Sequence, residues 1–113
     1  MFLSDIDIQK GIVEGVIVIR PFDPKRLQPV SYDVTLGNEF EVTNRHLTSA
    51  IDPSNKVYPQ TRTVRVEDGD AFLLHPGESV LGKQKEVIGV NHEHLILLSG
   101  KSSLARAGVV VHN

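Results

Sequence analysis

The sequence predicts a mainly β fold, a barrel or sandwich of short strands that follows one helix. Two observations favour this class. Apolar or alternating segments of only a few residues recur along most of the chain, separated by glycine, proline or Asp/Asn turn residues. Helical spacing with its end signals is clearest in the first fifteen residues. The 113 residues, 40% of them hydrophobic, show no internal repeat or boundary, so we expect a single domain over residues 1–113.

The N-terminal helix is predicted over residues 5–14. Ser4 is a favourable capping residue, and Asp5 and Asp7 place negative charge in the first turn, where the helix dipole stabilises it. Ile8 lies four residues before Ile12, which indicates one apolar face. Gly15 is the expected stop.

Short strands are predicted for the rest of the chain, from apolar alternation and β-branched residues. In order they are 16–19, 32–36, 40–43, 63–66, 71–74, 79–81, 86–87, 95–99 and 109–112. Three prolines between residues 20 and 30 predict an irregular loop, and tight turns are expected at 37–38, 68–70 and 76–77. Residues 52–60 are predicted as a surface loop. This spacing is typical of an all-β barrel or sandwich.

Composition narrows the classes of partner and compartment. A net charge of -2, without a basic run, argues against a general nucleic-acid or membrane-surface binder and favours a small-molecule or protein partner. The absence of cysteine excludes disulfides and thiolate zinc sites. The N-terminus lacks the pattern of a signal peptide, and no apolar run is long enough to span a bilayer. The expected compartment is the cytoplasm.

Residues 100–108, with the sequence GKSSLARAG, have the composition of a phosphate cradle. A glycine precedes a short helical turn that carries a lysine, two serines and an arginine. The segment is not a P-loop, because Leu95 stands where that motif requires glycine. In a helix Ser102 and Arg106 share one face and can grip the same phosphate chain. The alternative is an ordinary helix N-terminus capped by Ser102 or Ser103, with Arg106 solvated.

Several other polar residues have two interpretations each. His92-Glu93-His94 is either part of a metal site or, as we favour, a solvated turn, since zinc nucleobase deaminases add a cysteine pair that this chain lacks. His75 is interpreted as a loop residue, and His112 as structural despite its place after the cradle. Asp33 is either buried and paired or lies on the polar face of a strand.

Four motifs in order resemble the dCTP deaminases, which are related to the trimeric dUTPases. They are LSDIDI at 3–8, PFDP with LQPVSYDVTLG between 21 and 37, HPGESVLG at 75–82, and GKSSLAR at 100–106. The resemblance implies a distorted jelly-roll-like, dUTPase-like β barrel, with a short helix at the last motif, assembled as a homotrimer with active sites between subunits. The implied activity is zinc-independent conversion of dCTP to dUTP and ammonia, with Mg²⁺ on the triphosphate. A bifunctional variant that yields dUMP is a close alternative.

The resemblance also implies a role for each residue of the last motif. Lys101, Ser102 and Ser103 are expected to bind the triphosphate, Leu104 and Ala105 to lend backbone atoms, and Arg106 to lie near the reacting centre as a supporting catalytic residue. Relatives continue into a sugar-binding element and a strand with the catalytic glutamate, neither of which occurs in these 113 residues. We therefore expect an incomplete domain.

No glutamate of this chain takes the place of that general base. Glu78, Glu86 and Glu93 all lie outside the matching position. A general base contributes typically about 10² to 10⁴ in rate, so we expect the chain alone to be inactive. The alternative function is a non-catalytic nucleotide-binding or regulatory module.

Overall fold

The computed structural model describes residues 1–44, 46–47 and 50–112, and its first element is the predicted helix. Helix α1 spans Asp5–Val13. The Ser4 side chain accepts a hydrogen bond of 3.2 Å from the Asp7 N–H, which satisfies one of the free donors at the helix start. Gly15 follows with a φ of 76°, a conformation that glycine adopts without strain. The predicted cap, helix and stop are confirmed.

In the part of the chain that the structure describes, seven short strands and a second helix follow α1. The strands are β1 (Ile17–Arg20), β2 (Leu27–Gln28), β3 (Ser31–Tyr32), β4 (Leu36–Thr43), β5 (Thr61–Arg65), β6 (Val80–Gln84) and β7 (Val87–Val90), and α2 spans Ser102–Arg106. Single 3₁₀ turns occupy Pro24–Arg26 and Pro53–Asn55. All strand pairs are antiparallel, in the orders β1-β7, β2-β3 and β5-β4-β6. The mainly β class is confirmed, and the arrangement is consistent with the dUTPase-like fold that the resemblance implies.

Two small apolar clusters hold these sheets. In the first, Ile8 of α1 packs with Ile17 and Ile19 of β1, each no more than 8% exposed. In the second, Phe40 of β4 is 5% exposed and stacks on Phe72, with ring centroids 4.5 Å apart. The first cluster packs α1 against β1, and the second joins β4 to the segment that contains Phe72.

The buried carboxylate of Glu86 links the connection between β6 and β7 to the segment that precedes β4. Glu86, in the connection between β6 and β7, is 6% exposed. Its two oxygens accept hydrogen bonds of 3.1 and 3.0 Å from the Thr35 N–H, and one accepts a 2.6 Å bond from the Thr35 hydroxyl. Burial opposes the charged form, but the Thr35 side chain and backbone, with the charge of Arg26, outweigh it and lower the pKa of Glu86 below its ordinary value.

This contact explains why the predicted strand 32–36 is wrong. Strand β3 ends at Tyr32, and β4 begins only at Leu36. Between them the Thr35 N–H is taken by the Glu86 carboxylate and does not donate to a neighbouring strand. The turn expected at 37–38 is wrong for a related reason. Both residues belong to β4, at an irregularity in its pairing with β6.

Three further predicted strands, 71–74, 95–99 and 109–112, are also wrong, because none of them has a partner strand in the described residues. A strand needs a neighbour for its backbone hydrogen bonds. Large apolar side chains in these segments are exposed, among them Leu95, Leu97 and Val110. The radius of gyration of 17.1 Å exceeds the roughly 13 Å of a compact domain of this length. The chain thus leaves apolar surface uncovered.

The turns expected at 68–70 and 76–77 and the loop 52–60 are confirmed, whereas the irregular loop expected between residues 20 and 30 is wrong in part, because Leu27–Gln28 forms β2 after the 3₁₀ turn Pro24–Arg26. Gly69 and Gly77 have φ values of 88° and 79°, within turns closed by backbone hydrogen bonds from Asp70 to Glu67 and from Glu78 to His75. The loop 52–60 contains the 3₁₀ turn Pro53–Asn55. Within the described ranges, no helix combines the length and the apolar character that crossing a membrane requires.

Candidate functional site

Helix α2 forms within the segment predicted as a phosphate cradle, and its start is open. Lys101 is the capping residue, with an extended backbone and no side-chain capping bond. Its carbonyl accepts from the N–H groups of Leu104 and Ala105, at 3.0 and 3.1 Å. The alternative in which Ser102 or Ser103 caps the helix is therefore wrong. Across the described residues, the N–H groups of these two serines have no hydrogen-bond partner.

The chain returns on itself around α2. A side-chain Cβ at Gly100 would lie 3.3 Å from Cβ of Val111, so the glycine permits a close approach of these two segments. After the helix, Gly108 has a φ of 83°, and the Val109 N–H donates to the Leu104 carbonyl at 2.9 Å. A close approach at Gly100 before α2 and a backbone hydrogen bond from Val109 after it therefore hold the two ends of this turn.

Ser102 and Arg106 lie four residues apart on the same helix, as the spacing predicts. Both side chains are exposed, like those of the other residues from 101 to 106. Arg106 forms no ion pair or hydrogen bond within the described part of the chain. Its guanidinium fork is therefore available to an anion.

Within the described ranges, Lys101 forms a polar contact with a segment distant in sequence. Its Nζ lies 2.6 Å from Oδ2 of Asp33, 68 residues earlier. The same oxygen accepts a 3.1 Å hydrogen bond from Nε2 of Gln28. The Asp33 side chain is 22% exposed and that of Lys101 is 60% exposed. Asp33 is thus paired, as in one of its two predicted states, but half-buried, and nothing in the sequence indicates that its partner is the lysine of the cradle.

The other candidate residues do not join this site. Nδ1 of His94 is hydrogen-bonded at 2.5 Å to Oδ1 of Asn91, in the turn predicted there. The His75 backbone pairs locally with Glu78. His112 follows the contact of Gly100 with Val111 and is exposed. Throughout the described residues, no three side chains of His, Cys, Asp or Glu cluster in a way that holds a metal ion.

A cavity lies elsewhere on the molecule. It has a volume of 280 Å³ and lies beside β4, where Val42, Phe72 and Val80 contribute to its lining. None of the residues 101–106 lines it. The cradle is therefore an open surface in a single chain, and any pocket around it needs further walls.

Comparison with known proteins gives a consistent result over the whole chain. A family model described as "dCTP deaminase-like" matches residues 2–113. A "dCTP deaminase, dUMP-forming" of Tropheryma whipplei (strain Twist) is 42% identical over all 113 residues, which cover 58% of that protein. A protein of the same name from Salinispora tropica is 45% identical, again over the full chain and 59% of the relative. The chain therefore spans well under two thirds of the length of these relatives.

Proposed function

The chain belongs to the dCTP deaminase-like family, and from this premise we propose that it supplies the phosphate-binding part of a zinc-independent dCTP deaminase. The observation that carries the proposal is the open start of α2. There, two backbone N–H groups that have no hydrogen-bond partner among the described residues, two serine hydroxyls and the cations Lys101 and Arg106 occur within six residues. Groups of this kind bind phosphate oxygens by charge-assisted hydrogen bonds.

Each residue of the cradle has a part in the proposal. Lys101, Ser102 and Ser103 bind the triphosphate, and Leu104 and Ala105 keep the turn closed through their backbone. Arg106, without an internal partner, reaches the reacting centre, where a guanidinium orients water or stabilises developing negative charge. Mg²⁺ enters with the triphosphate as part of the substrate.

The proposed chemistry consists of two hydrolyses. Water adds to C4 of the cytosine ring and the C4–N bond breaks, so that dCTP and water give dUTP and ammonia. A second water then cleaves between the α- and β-phosphates, and dUTP gives dUMP and pyrophosphate. From the sequence we expected dUTP as the product and dUMP as the alternative. The names of the relatives favour the dUMP-forming variant, and we propose it here.

We further propose that the 113-residue chain binds nucleotide but does not turn it over. The resemblance assigns the catalytic glutamate to the portion of the relatives that this chain does not cover. The proposal also includes a homotrimer with active sites between subunits, and two features of the fold support it. Apolar side chains at Leu95, Leu97 and Val110 are exposed, and the cradle lacks enclosing walls. A cytoplasmic location fits a nucleotide enzyme and stays a prediction.

The experiment for this proposal is a turnover assay. The 113-residue chain is incubated with dCTP and Mg²⁺, and dUTP, dUMP and ammonia are separated and quantified. We expect no product from the chain alone. We expect dUMP from a chimera that adds the uncovered C-terminal portion of the Tropheryma relative. Product from the chain alone would contradict the assignment of the general base, and dUTP without dUMP would contradict the dUMP-forming variant.

Arg106→Ala in that chimera tests the supporting role of the guanidinium. We expect a loss of turnover of roughly 10²-fold, the size seen when a preorganised electrostatic donor is removed, with the trimer intact by sedimentation. Lys85→Ala, in a lysine that pairs with Asp68 outside the cradle, is the control and should keep full turnover. Full turnover by the Arg106 variant would remove the catalytic role.

A second function, a regulatory module that binds nucleotide without catalysis, is supported by the exposed cations and serine hydroxyls of residues 101–106, which can hold phosphate without a catalytic base. It predicts that the chain binds dCTP and that neither the chain nor the chimera forms product. The chimera assay therefore separates the two functions.

A further inference from the structure

We propose that Asp33 is a positioning residue that holds the Lys101 ammonium in place for the phosphate chain of the nucleotide. This inference rests on the proposed function, because it assigns a new role within the same phosphate-binding site. Asp33 lies outside the motif that carries the cradle, in the connection between β3 and β4. The contact that joins them is the 2.6 Å bond from Nζ of Lys101 to Oδ2 of Asp33.

Asp33 is itself held firmly. Its N–H donates to the Arg26 carbonyl at 2.9 Å, and its carboxylate accepts from Gln28 at 3.1 Å. Gln28 belongs to the short hairpin of β2 and β3, and Arg26 ends the 3₁₀ turn directly before it, while Asp33 follows the end of the hairpin at Tyr32. The Tyr32 ring stacks on Phe22, and its hydroxyl accepts from the Asp23 N–H at 3.0 Å. The carboxylate is therefore a fixed point on the hairpin.

The Lys101 side chain, unlike that of Asp33, is intrinsically flexible. A lysine side chain is a flexible stem with a point charge, and it loses rotamer freedom when it binds a ligand. Here one of its three N–H donors is directed at Asp33, while the side chain stays 60% exposed. The other two donors are left for a phosphate. Because Asp33 already holds the lysine side chain before the ligand arrives, binding costs less conformational entropy.

Removal of the Asp33 side chain has two opposite effects on phosphate binding, one through its charge and one through its contact with Lys101. A carboxylate beside an anion site repels phosphate, so removing its charge alone favours binding. If Asp33 positions Lys101, removing the side chain weakens binding in spite of this gain. Asn at the same position also lacks the charge but keeps an oxygen that accepts from Nζ. The two substitutions therefore separate position from charge.

The experiment measures the dissociation constants of Mg²⁺·dCTP and of inorganic triphosphate for the 113-residue chain by calorimetric titration. Immobilising one rotamer-rich side chain corresponds to a change in affinity of roughly three- to tenfold. We expect Asp33→Ala to weaken both probes by about that factor, and Asp33→Asn to weaken them by less. Asp68→Asn removes the acid of the separate pair with Lys85 and serves as the matched control, with unchanged affinity. Circular dichroism verifies that each variant is folded.

A double substitution distinguishes positioning from a general structural role. In a Lys101→Met background, Asp33→Ala should leave affinity unchanged or tighten it, because the group that Asp33 positions is gone and only the loss of its negative charge remains. An equal loss in both backgrounds would overturn the inference, as would unchanged or tighter binding by both Asp33 variants. Unchanged affinity in Lys101→Met alone would instead refute the proposed role of Lys101. Absence of binding by the unsubstituted chain would refute the proposed phosphate site itself and the role of Asp33 with it.

Discussion

Replacement of Glu86 by alanine tests the contact that joins the β6–β7 connection to the start of β4. The substitution removes the acceptor of two donor groups, the Thr35 N–H and the Thr35 hydroxyl. A hydrogen bond to a charged group contributes about 1.5 to 3 kcal/mol, and a buried donor left without a partner costs a similar amount. Thr35 is only half-buried, so water replaces part of the loss. We expect the free energy of unfolding to fall by about 2 to 4 kcal/mol.

The assay is urea unfolding of both proteins at pH 7, followed by far-ultraviolet circular dichroism. Glu93→Ala is the matched control, because the Glu93 side chain is exposed and forms no hydrogen bond within the described residues. Surface substitutions of this kind change stability by no more than about 0.5 kcal/mol. If the free energy of unfolding of Glu86→Ala lies within about 0.5 kcal/mol of that of the unsubstituted chain, the contact between Glu86 and Thr35 does not stabilise the fold.

The pH dependence of the free energy of unfolding tests the direction in which the pKa of Glu86 is shifted. The folded pKa of Glu86 is lowered, so its contribution to stability is complete above the unfolded pKa of about 4.3. The contribution is lost as the pH falls through the folded pKa. The stability difference between the unsubstituted chain and Glu86→Gln should therefore shrink between pH 6 and pH 3. A difference that grows as the pH falls would contradict the lowered pKa.

Substitutions at three further positions test local features of the fold by the same urea assay. Ser4→Ala removes the cap of α1 and should cost about 1 kcal/mol, whereas Ser4→Asp should retain most of the stability. Gly37→Ala places a Cβ 2.8 Å from a backbone carbonyl oxygen of β6 and should cost about 1 to 3 kcal/mol, so a neutral result would contradict this packing. Phe40→Ala empties the stack with Phe72 and should cost about 3 to 5 kcal/mol; a loss below 1 kcal/mol would show that this cluster is not a core.

Elements specified by neighbouring residues were predictable from the sequence. Helix α1 has its cap, its acidic first turn and its glycine within twelve residues, and each signal acts locally. The same holds for α2 and for the turns at Gly69 and Gly77. The class of fold follows from many such short segments.

Features that depend on distant residues were not predictable. Alternation at 32–36 suggested a strand, but Glu86, 51 residues away, takes the Thr35 N–H. Segments 95–99 and 109–112 have the composition of strands, yet composition does not supply a partner for their backbone groups. In the site, the motif itself indicated residues 101–106. The pairing of Lys101 with Asp33 is set by the tertiary structure across 68 residues, and a single sequence carries no signal for it.

The central claim is that residues 101–106 bind the phosphate chain of a nucleotide. The most direct measurement compares the affinities of the 113-residue chain for dCTP with Mg²⁺ and for deoxycytidine, by calorimetric titration. The account predicts that dCTP binds at least roughly tenfold more tightly, because charge-assisted bonds to phosphate supply more than 1.4 kcal/mol. It also predicts that Lys101→Met combined with Arg106→Ala removes this preference. Equal affinity for the two ligands, or a preference that survives the double substitution, would contradict the account.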